Sequence, residues 1–571
     1  MSTSDLLQRL RHWMPVFQWL PGYQKNYLRG DVLAGVTVAM MLIPQAMSYA
    51  LLAGLPPYVG LYASVVPLLL YAVFGTSREL AVGPTALQAL LVASGLAVLA
   101  DGSASQYLAL AVMLALMVGI IELLMGLARL GYLANFLSQP VISGFTSAAA
   151  LIIGFSQLQH LIGVDLPRTD NLLALIWMTL QQWQALNPVA LLIGAGSIGL
   201  LVVLRWLNPL IPGPLLGVAV ATLVVWLLRL DSQAGVDIVG VVPSGLPTPA
   251  FPVVEWSLVV DLVPIALTIA LIGLVESIAV ARRIANEHGY DVSPDRELVA
   301  LGVANMGAAL SQAMPVTGSF SRSAVNTRAG ARTGLAGIIT AGMIAAVLLA
   351  GTSLLHFIPT AALAAVIMVA VAGLLDFRIV GRLWRVRRDD LVMWAIAFGG
   401  TLLLGVQTGI LLAIVASLLW FVVRTTRPHY AVMGRLPDSA AYRNIDRYPE
   451  VVTYPGVLIV RFDAQFYFGN VAFLRDTLRR LEVEQATPVR AVVLDAAAVN
   501  QLDYSADVML HELLRDYRSR GIGLFLANVK GPVRDVMVRS GFVAALGEQR
   551  FFISTEDAVQ AAREWAEGTT A

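Results

Sequence analysis

The sequence predicts a polytopic α-helical membrane protein of about fourteen spans that carries a small α/β domain at its C-terminal end. Of the 571 residues, 57% are hydrophobic and only 13% are charged, whereas soluble domains carry about a quarter of charged residues. With a mean hydropathy of +0.74, the chain has too few polar side chains to cover the surface of a soluble protein of this length. Charged residues return after Arg424, which sets the C-terminal domain apart.

Apolar segments recur over the first three quarters of the chain. The first covers about 31–53 and the last ends near Val423, with several cut short by Gly or Pro. A helix needs about 20 apolar residues to cross the hydrocarbon core. From this composition we expect a cytoplasmic N-terminal segment, a transmembrane domain, a linker and a soluble domain. Their expected bounds are 1–30, 31–424, 425–453 and 454–571.

Basic residues predict the orientation of the membrane domain. They precede the first segment and follow the even-numbered ones, whereas the long loop 231–256 has none, and Arg168 is the single exception. Cytoplasmic loops carry the excess of Lys and Arg. The pattern therefore predicts a multi-pass protein of the cell inner membrane with both termini in the cytoplasm. The basic residues behind this argument are Arg9, Arg11, Lys25, Arg29, Arg78, Arg129, Arg205, Arg282, Arg283, Arg378, Arg382, Arg385, Arg387 and Arg388.

Composition also argues against several classes of function. A net charge of +1 gives no field that would attract nucleic acid. The chain has no cysteine, so disulfides, thiolate metal sites and cysteine nucleophiles are excluded. No nucleophile–base pair, metal cluster or phosphate-cradling loop stands out, so we expect no enzyme activity, no metal and no cofactor. We also expect no cleavable signal peptide at the polar, basic N-terminus.

Two membrane segments are interrupted at corresponding positions of the two halves. The sequence VGPT at 82–85 precedes one apolar helix, and VTGS at 316–319 precedes a helix that begins at Phe320. Paired broken helices are typical of inverted repeats with a substrate site between them. Gly and Pro are also common in membrane helices without such a role, so the pattern alone leaves both interpretations open.

A helix that starts inside a membrane is suited to bind an anion. Its first backbone N–H groups have no partner within the helix, and they carry the positive end of the helix dipole. Two such ends facing one another form an anion site, and Arg322 adds a full charge here. A charged side chain in mid-membrane is costly and survives where it faces a cavity, water or an anion. The alternative is that Arg322 lies near the cytoplasmic face and extends to water.

Polar side chains in other spans are candidates for the same site. Gln45 and Tyr49 are four residues apart and share one face of a helix that Pro44 is expected to kink. They could complete the hydrogen-bond shell of an anion or serve helix packing. Glu276 lies deep in an apolar helix, where a carboxyl without a partner tends to hold a proton. It is a candidate proton carrier or counter-charge to the arginine, whereas we expect Glu122 to be structural.

At these residues the sequence resembles the sulfate permease (SulP) family of anion transporters, over nearly the whole chain. The segments 57–62 (PYVGLY), 75–78 (GTSR) and 82–84 (VGP) look like the family signature, and 318–326 (GSFSRSAVN) is a second match. The second match is most similar to the sulfate/proton symporters of plants and bacteria. The C-terminal region resembles the STAS domain that follows the membrane part in this family.

The resemblance implies a seven-plus-seven inverted repeat with two broken half-helices, divided into a gate domain and a core domain. It also implies a homodimer in the lipid bilayer and elevator-like alternating access. It places the anion between the starts of the third and tenth helices and matches Glu276 with the acid that is linked to proton coupling. The substrate-binding residues that it implies are Gln45, Tyr49, Thr85, Ala86, Phe320, Ser321 and Arg322.

Two further positions are interpreted through the resemblance. Sodium-dependent bicarbonate members carry an acid and a hydroxyl near the inner end of the eighth span, where this chain looks to have Ala285 and His288. That difference argues against sodium coupling. In the C-terminal domain, Asp503 and Ser505 occupy the place where soluble STAS proteins are phosphorylated. Ser505 is a candidate for modification, although we expect both to be ordinary first-turn residues.

The sequence therefore predicts secondary active transport of a small inorganic or carboxylate anion, with proton-coupled sulfate uptake as the leading hypothesis. An anion exchanger and a bicarbonate or dicarboxylate transporter are alternatives within the same class. An anion sensor that signals through the C-terminal domain is an alternative of another class, which net flux in liposomes would exclude. A nucleobase carrier shares the repeat architecture, but Arg322 and the C-terminal domain argue against it.

Overall fold

The computed structural model of the protein describes residues 13–97, 99–100, 103–135, 138–164, 172–208, 211–252 and 256–568. The chain divides into two compact units after Ser417. Among the described residues, the first unit is helical apart from two very short strands, and the second contains a six-stranded sheet. The prediction of a helical membrane domain followed by a small α/β domain is therefore confirmed. Arg168, expected on the outer side, lies outside the described residues.

The first half of the helical unit begins its membrane segments at Lys25, six residues before the expected start at 31. Its helices are α1 (Val16–Trp19), α2 (Lys25–Leu52), α3 (Pro57–Tyr62), α4 (Val66–Phe74), α5 (Ala86–Leu96), α6 (Ala104–Leu127), α7 (Gln139–Ser156), α8 (Leu158–Ile162), α9 (Leu172–Gln181), α10 (Pro188–Leu207), α11 (Gly213–Leu228) and α12 (Leu230–Gln233). Short 3-10 turns occupy Leu130–Asn135 and Trp183–Ala185.

The second half continues with a helix long enough to cross a membrane and ends with another. Its helices are α13 (Trp256–His288), α14 (Pro294–Leu310), α15 (Phe320–Arg328), α16 (Leu335–Ala350), α17 (Thr360–Ala372), α18 (Arg378–Val386), α19 (Arg388–Leu404) and α20 (Val406–Thr426), with a 3-10 turn at Thr352–Leu355. Across the described residues, seven helices are long and apolar enough to span a membrane, and five apolar helices are shorter.

With α1, α9, α12 and α18 set apart as connecting or flanking helices, the described helices group into two runs of seven segments. The pairs α3–α4 and α7–α8 each make one continuous apolar span. The first run is then α2, α3–α4, α5, α6, α7–α8, α10 and α11, and the second is α13, α14, α15, α16, α17, α19 and α20. The short helices α5 and α15 stand third in their runs, as the sequence predicts for the two broken helices.

Two short strands mark the same position in the two runs. β1 (Val82–Gly83) leads into α5, and β2 (Thr317–Gly318) leads into α15. They pair antiparallel, with Val82 opposite Gly318 and Gly83 opposite Thr317. Because each strand directly precedes a short helix, the pairing brings the starts of the two broken helices together.

Glycines allow α6 and α14 to pack with their backbones in contact. A Cβ atom added to Gly302 would stand 2.6 Å from the amide nitrogen of Leu123 and 2.7 Å from the carbonyl oxygen of Gly119. A Cβ atom on Gly119 would stand 2.8 Å from the carbonyl oxygen of Gly302. Small residues commonly permit such close crossings of membrane helices. The contact fixes α14, which holds the segment before β2.

We expect Gly302→Val to destabilise the helical unit strongly. Overpacking a core costs about 1–3 kcal/mol, and here backbone atoms, which cannot rotate away, occupy the space. The matched control is Gly342→Val, because a Cβ atom on Gly342 meets nothing within 4 Å. Thermal unfolding of the purified protein should show a lower midpoint for Gly302→Val and an unchanged midpoint for the control. Equal midpoints for the two variants would contradict this packing.

The second unit is built on a mixed sheet with the strand order β4-β3-β5-β6-β7-β8, in which β5 to β8 run parallel. The strands are β3 (Tyr430–Arg435), β4 (Tyr442–Asn444), β5 (Val457–Phe462), β6 (Ala491–Asp495), β7 (Gly523–Ala527) and β8 (Phe551–Phe552). The helices are α21 (Val471–Glu484), α22 (Tyr504–Ser519), α23 (Gly531–Arg539), α24 (Phe542–Leu546) and α25 (Thr555–Gly568), with a 3-10 turn at Glu548–Arg550.

The stretch 425–453, for which composition predicts a linker, contributes two strands to this sheet. β3 pairs antiparallel with β5 on one side and with β4 on the other. Ala431, Met433 and Tyr442 are buried in the core beneath the sheet. Alternation within β3 is short and is followed by a polar turn, so composition alone does not separate these strands from a linker.

Asp503 and Ser505 lie at the start of α22. The carboxylate of Asp503 accepts hydrogen bonds from the backbone amides of Ala506 at 2.9 Å and Phe468 at 2.8 Å. This is an N-cap arrangement that stabilises a helix start. Ser505 is exposed in the first turn. The geometry therefore gives Asp503 the structural role that the sequence favours.

Candidate functional site

The starts of α5 and α15 lie side by side because β1 pairs with β2 immediately before them. The hydroxyl of Thr85 accepts a hydrogen bond from the amide of Gln88 at 3.4 Å, whereas Ser319 provides no such cap for α15. The first amides of both helices lack partners within the helix and carry the positive ends of the helix dipoles. Backbone groups alone therefore make this region electropositive.

Arg322 adds a full positive charge to the same region. It lies in the first turn of α15 and is only 1% exposed. Its Nη1 donates to the carbonyl oxygen of Pro84 at 2.8 Å, directly before the start of α5. The alternative in which Arg322 extends to water does not hold, because the guanidinium is buried against the other broken segment.

The guanidinium keeps two donors for another acceptor. Nε and Nη2 of Arg322 are buried and have no hydrogen-bond partner in the described part of the protein. Gly83 leaves room beside them, since a Cβ atom there would stand 3.3 Å from Nη2. A buried donor without an acceptor is costly. An oxyanion offers the acceptor oxygens that these two donors need.

α2 brings two further polar side chains into the interior. Tyr49 is buried and close enough to Arg322 to interact with it electrostatically. Gln45, one turn earlier, is buried, and its Oε1 has no hydrogen-bond partner among the described residues. The helix continues through Pro44, whose carbonyl oxygen accepts a hydrogen bond from Ser48 at 2.7 Å.

Glu276 on α13 faces the same guanidinium. Its carboxylate interacts electrostatically with Arg322, and its Oε2 is buried without a hydrogen-bond partner among the described residues. The two groups therefore influence one another by charge, but no ion pair joins them among the described residues. A carboxyl in this position can hold or release a proton while sensing the charge beside it.

Phe320 and Ser321 stand at the open edge of the site. Phe320 is 49% exposed, and the guanidinium of Arg283 lies over its ring at 5.1 Å from the centroid. Ser321 is exposed, and its hydroxyl lies 3.3 Å from the hydroxyl of Ser319. Ala86, at the start of α5, is buried like Thr85. The site thus has a buried part around Arg322 and an exposed edge at the first turn of α15.

A second layer of polar residues holds β2 in place. The side chain of Asn305 donates to the carbonyl oxygen of Val316 at 3.0 Å and accepts from its amide at 2.7 Å. It also donates to Glu122 at 2.8 Å. Ser277 accepts from the amide of Gly318 at 2.9 Å. These residues fix the backbone just before α15.

The sequence pattern favours a structural role for Glu122 but does not indicate Asn305 or Ser277. Glu122 is far from both broken segments along the chain, and only the fold of α6 against α14 shows that it acts through Asn305. Asn305 could have been noticed as the single amide side chain within the apolar stretch VANMGAA. Ser277 directly follows Glu276, so its position beside the site could also have been predicted from the sequence.

Among the described residues, no group of three or more His, Asp or Glu side chains could hold a metal ion. Ala285 is buried, and the Nδ1 atom of His288 lies 3.0 Å from the carbonyl oxygen of Ile284 on its own helix. A separate cavity of about 170 Å³ reaches Val82 and Asn326 but is not lined by Tyr49, Glu276 or Arg322. It is therefore distinct from the candidate site.

Comparison with known proteins relates both units to described families. Residues 28–397 match the model of the sulfate permease family, and residues 448–558 match the STAS domain. The first match covers most of the helical unit and includes both broken helices. The second covers most of the sheet and its helices.

Individual proteins are similar over nearly the whole chain. Sulfate transporter 4.1, chloroplastic, of Arabidopsis thaliana is 38% identical, over 98% of this chain and 84% of its own length. A probable sulfate transporter of Mycobacterium tuberculosis is 37% identical, over 95% of this chain and 98% of its own. The solved structure of murine Solute Carrier 26 family member A9, an anion transporter in the inward-facing state, superposes with a TM-score of 0.90 at 26% identity, over 99% of this chain and 95% of that chain.

Proposed function

This chain belongs to the sulfate permease family of membrane anion transporters, and we propose that it takes up sulfate by secondary active transport coupled to protons. The plant and mycobacterial relatives bear the names of sulfate transporters. Sulfate is a compact oxyanion whose oxygens accept hydrogen bonds from several directions. A site of converging backbone amides and one guanidinium suits such an anion.

The observation that carries this proposal is the buried guanidinium with two free donors. Arg322 uses Nη1 to hold Pro84 and leaves Nε and Nη2 unpaired among the described residues. The first-turn amides of α5 and α15 add partial positive charge. We assign anion binding to this place, with the buried Thr85 and Ala86 at the start of α5, with Phe320 and Ser321 at the exposed edge, and with Gln45 and Tyr49 on α2.

We assign proton coupling to Glu276. When an anion binds, it partly neutralises the charge of Arg322, and the neighbouring carboxyl then holds a proton more readily. Proton binding in turn favours the anion, because coupling between two sites is reciprocal. Symport follows if the carrier reorients readily only when both sites are occupied. Ala285 and His288 offer no carboxylate for sodium, which favours protons as the coupled ion.

We propose that the helical unit works by elevator-like movement of a core domain against a gate domain, within a homodimer. We place the protein in the cell inner membrane with both termini in the cytoplasm, on the strength of its basic residues. The STAS domain then lies on the cytoplasmic side, where it has a regulatory role.

Uptake of labelled sulfate into proteoliposomes tests the proposal. Sulfate should accumulate when the outside is acidic, and unlabelled sulfate should compete better than bicarbonate or dicarboxylates. Accumulation that requires a trapped internal anion would indicate an exchanger instead. Specific binding of sulfate without any net flux would indicate a sensor.

Removing the part of the second unit that carries the sheet should leave anion preference unchanged. A chain that ends at Arg427 retains α20 and loses the whole sheet, including β3 and β4. No residue of the candidate site lies beyond that point. We expect the truncated protein to show a lower uptake rate but the same order of competition among unlabelled anions. An altered order would show that the STAS domain contributes to selectivity.

A further inference from the structure

One end of the helical unit carries a basic and aromatic surface that anion transport does not use. α18 has nine residues, three of which are arginines at i, i+4 and i+7. Arg378, Arg382 and Arg385 are exposed, while Leu383 on the opposite side is buried. This spacing places the three guanidinium groups along one face of the helix.

The exposed arginines are accompanied by exposed tryptophans. Trp384 is 60% exposed, and the guanidinium of Arg388 lies over its ring at 5.1 Å from the centroid. Arg205, from the first half of the unit, lies close to the segment that precedes α18. Its guanidinium nitrogens are 3.9 Å from the position that a Cβ atom on Gly373 would occupy. Trp206 follows Arg205 and is 85% exposed. Tryptophan is enriched where a protein meets the membrane–water interface.

The three arginines of α18 are not neutralised by acids of the protein. Among the described residues, none of them forms an ion pair, whereas the neighbouring Arg387 pairs with Asp389 at 3.4 Å. Asp376 accepts a hydrogen bond from the backbone amide of Arg378. The positive charge of this face is therefore available to an external anion.

We propose that the surface formed by Arg205, Trp206, Arg378, Arg382, Trp384 and Arg385 binds the headgroups of anionic phospholipids. The short helix α18 has the composition of an interfacial helix, with basic side chains for phosphates and an indole for the acyl boundary. Several basic residues beside a membrane span attract anionic lipid. The inference uses the membrane location of the helical unit and does not depend on which anion is transported.

The binding of lipid is measured with the full-length chain in nanodiscs. The probe is a photoactivatable phosphatidylglycerol, compared with the matching phosphatidylcholine, in a phosphatidylcholine bilayer. Peptide mass spectrometry then locates the crosslinks. We expect phosphatidylglycerol to label 378–388 well above phosphatidylcholine. Equal labelling by the two probes overturns the proposal.

Variants test the role of the arginines. Each basic residue near an anionic surface raises the binding constant about fivefold, so Arg378→Gln, Arg382→Gln and Arg385→Gln together should weaken labelling on the order of 100-fold. The matched control removes three exposed arginines of the other unit by Arg479→Gln, Arg515→Gln and Arg539→Gln. Unchanged labelling in the first triple variant contradicts the proposal.

Two further experiments, a lysine variant and a competition with free anions, distinguish lipid binding from a loss of folding and from the binding of a free anion. Replacing the same three arginines with lysine keeps the charge and should retain most of the labelling, even if the glutamine variant folds poorly. Excess free sulfate or inorganic phosphate should not compete, and competition would assign the surface to a free anion and overturn the proposal. Labelling does not require uptake, so the lipid experiment can still be interpreted if the protein does not transport sulfate.

Discussion

Arg322→Ala should abolish sulfate uptake while the protein still inserts and folds. The substitution removes a buried positive charge and two free donors, and it leaves only the backbone amides to hold the anion. Removing one partner of a buried, hydrogen-bonded charge pair costs about 2–5 kcal/mol, which is roughly 30-fold to several-thousand-fold in affinity. Sulfate binding and initial uptake rates in proteoliposomes measure the loss.

Two matched variants make the Arg322 result specific. Arg328→Ala removes an exposed arginine at the far end of the same helix and should leave the affinity for sulfate unchanged. Arg322→Lys keeps the charge but not the planar fork of donors, so we expect partial recovery only. Wild-type affinity in Arg322→Ala would show that the anion is bound elsewhere.

Glu276→Gln should uncouple anion movement from protons. Glutamine has the shape of the protonated carboxyl but cannot release a proton, so the variant mimics one state of the coupling site. We expect it to bind sulfate and to exchange labelled for unlabelled sulfate. Uptake driven by an inward proton gradient should fall to the level seen without a gradient. Exchange and gradient-driven uptake are measured on the same proteoliposomes.

The control for Glu276 lies on the same helix. Glu287 is exposed and pairs with Arg283 at 3.3 Å, so Glu287→Gln removes an acid of α13 that is not itself among the assigned site residues. It should keep gradient-driven uptake. If Glu276→Gln still concentrates sulfate in response to a pH gradient, coupling belongs to another acid. Glu122 is the next candidate, because its Oε1 is buried without a hydrogen-bond partner among the described residues.

The membrane architecture could be predicted from the sequence because each of its parts has its own local sequence pattern. Apolar length marks the spans, and Gly- and Pro-containing interruptions mark the two broken helices. The place of Arg322 directly after the second interruption indicated the candidate anion site, which stays a prediction. Local patterns do not report which segments meet in space, so the pairing of β1 with β2 had to come from the structure.

What the sequence missed depends on contacts between distant residues. Asn305 holds Val316 and reaches Glu122 on another helix, and no spacing along the chain encodes that link. The strand β3 is stabilised by pairing with β5, which follows it in the chain, and β4 is stabilised by pairing with β3. The contact between Phe320 and Arg283 likewise joins α15 to α13, which is distant along the chain. Each of these features is decided by tertiary packing.

The most direct test of the central claim is accumulation of labelled sulfate by wild-type proteoliposomes under an imposed pH gradient. With an acidic exterior, we predict that internal sulfate rises above the external concentration and that a protonophore abolishes the rise. Replacing sodium with potassium should change nothing. Sulfate that only equilibrates across the membrane, or that enters only in exchange for an internal anion, would contradict proton-coupled uptake.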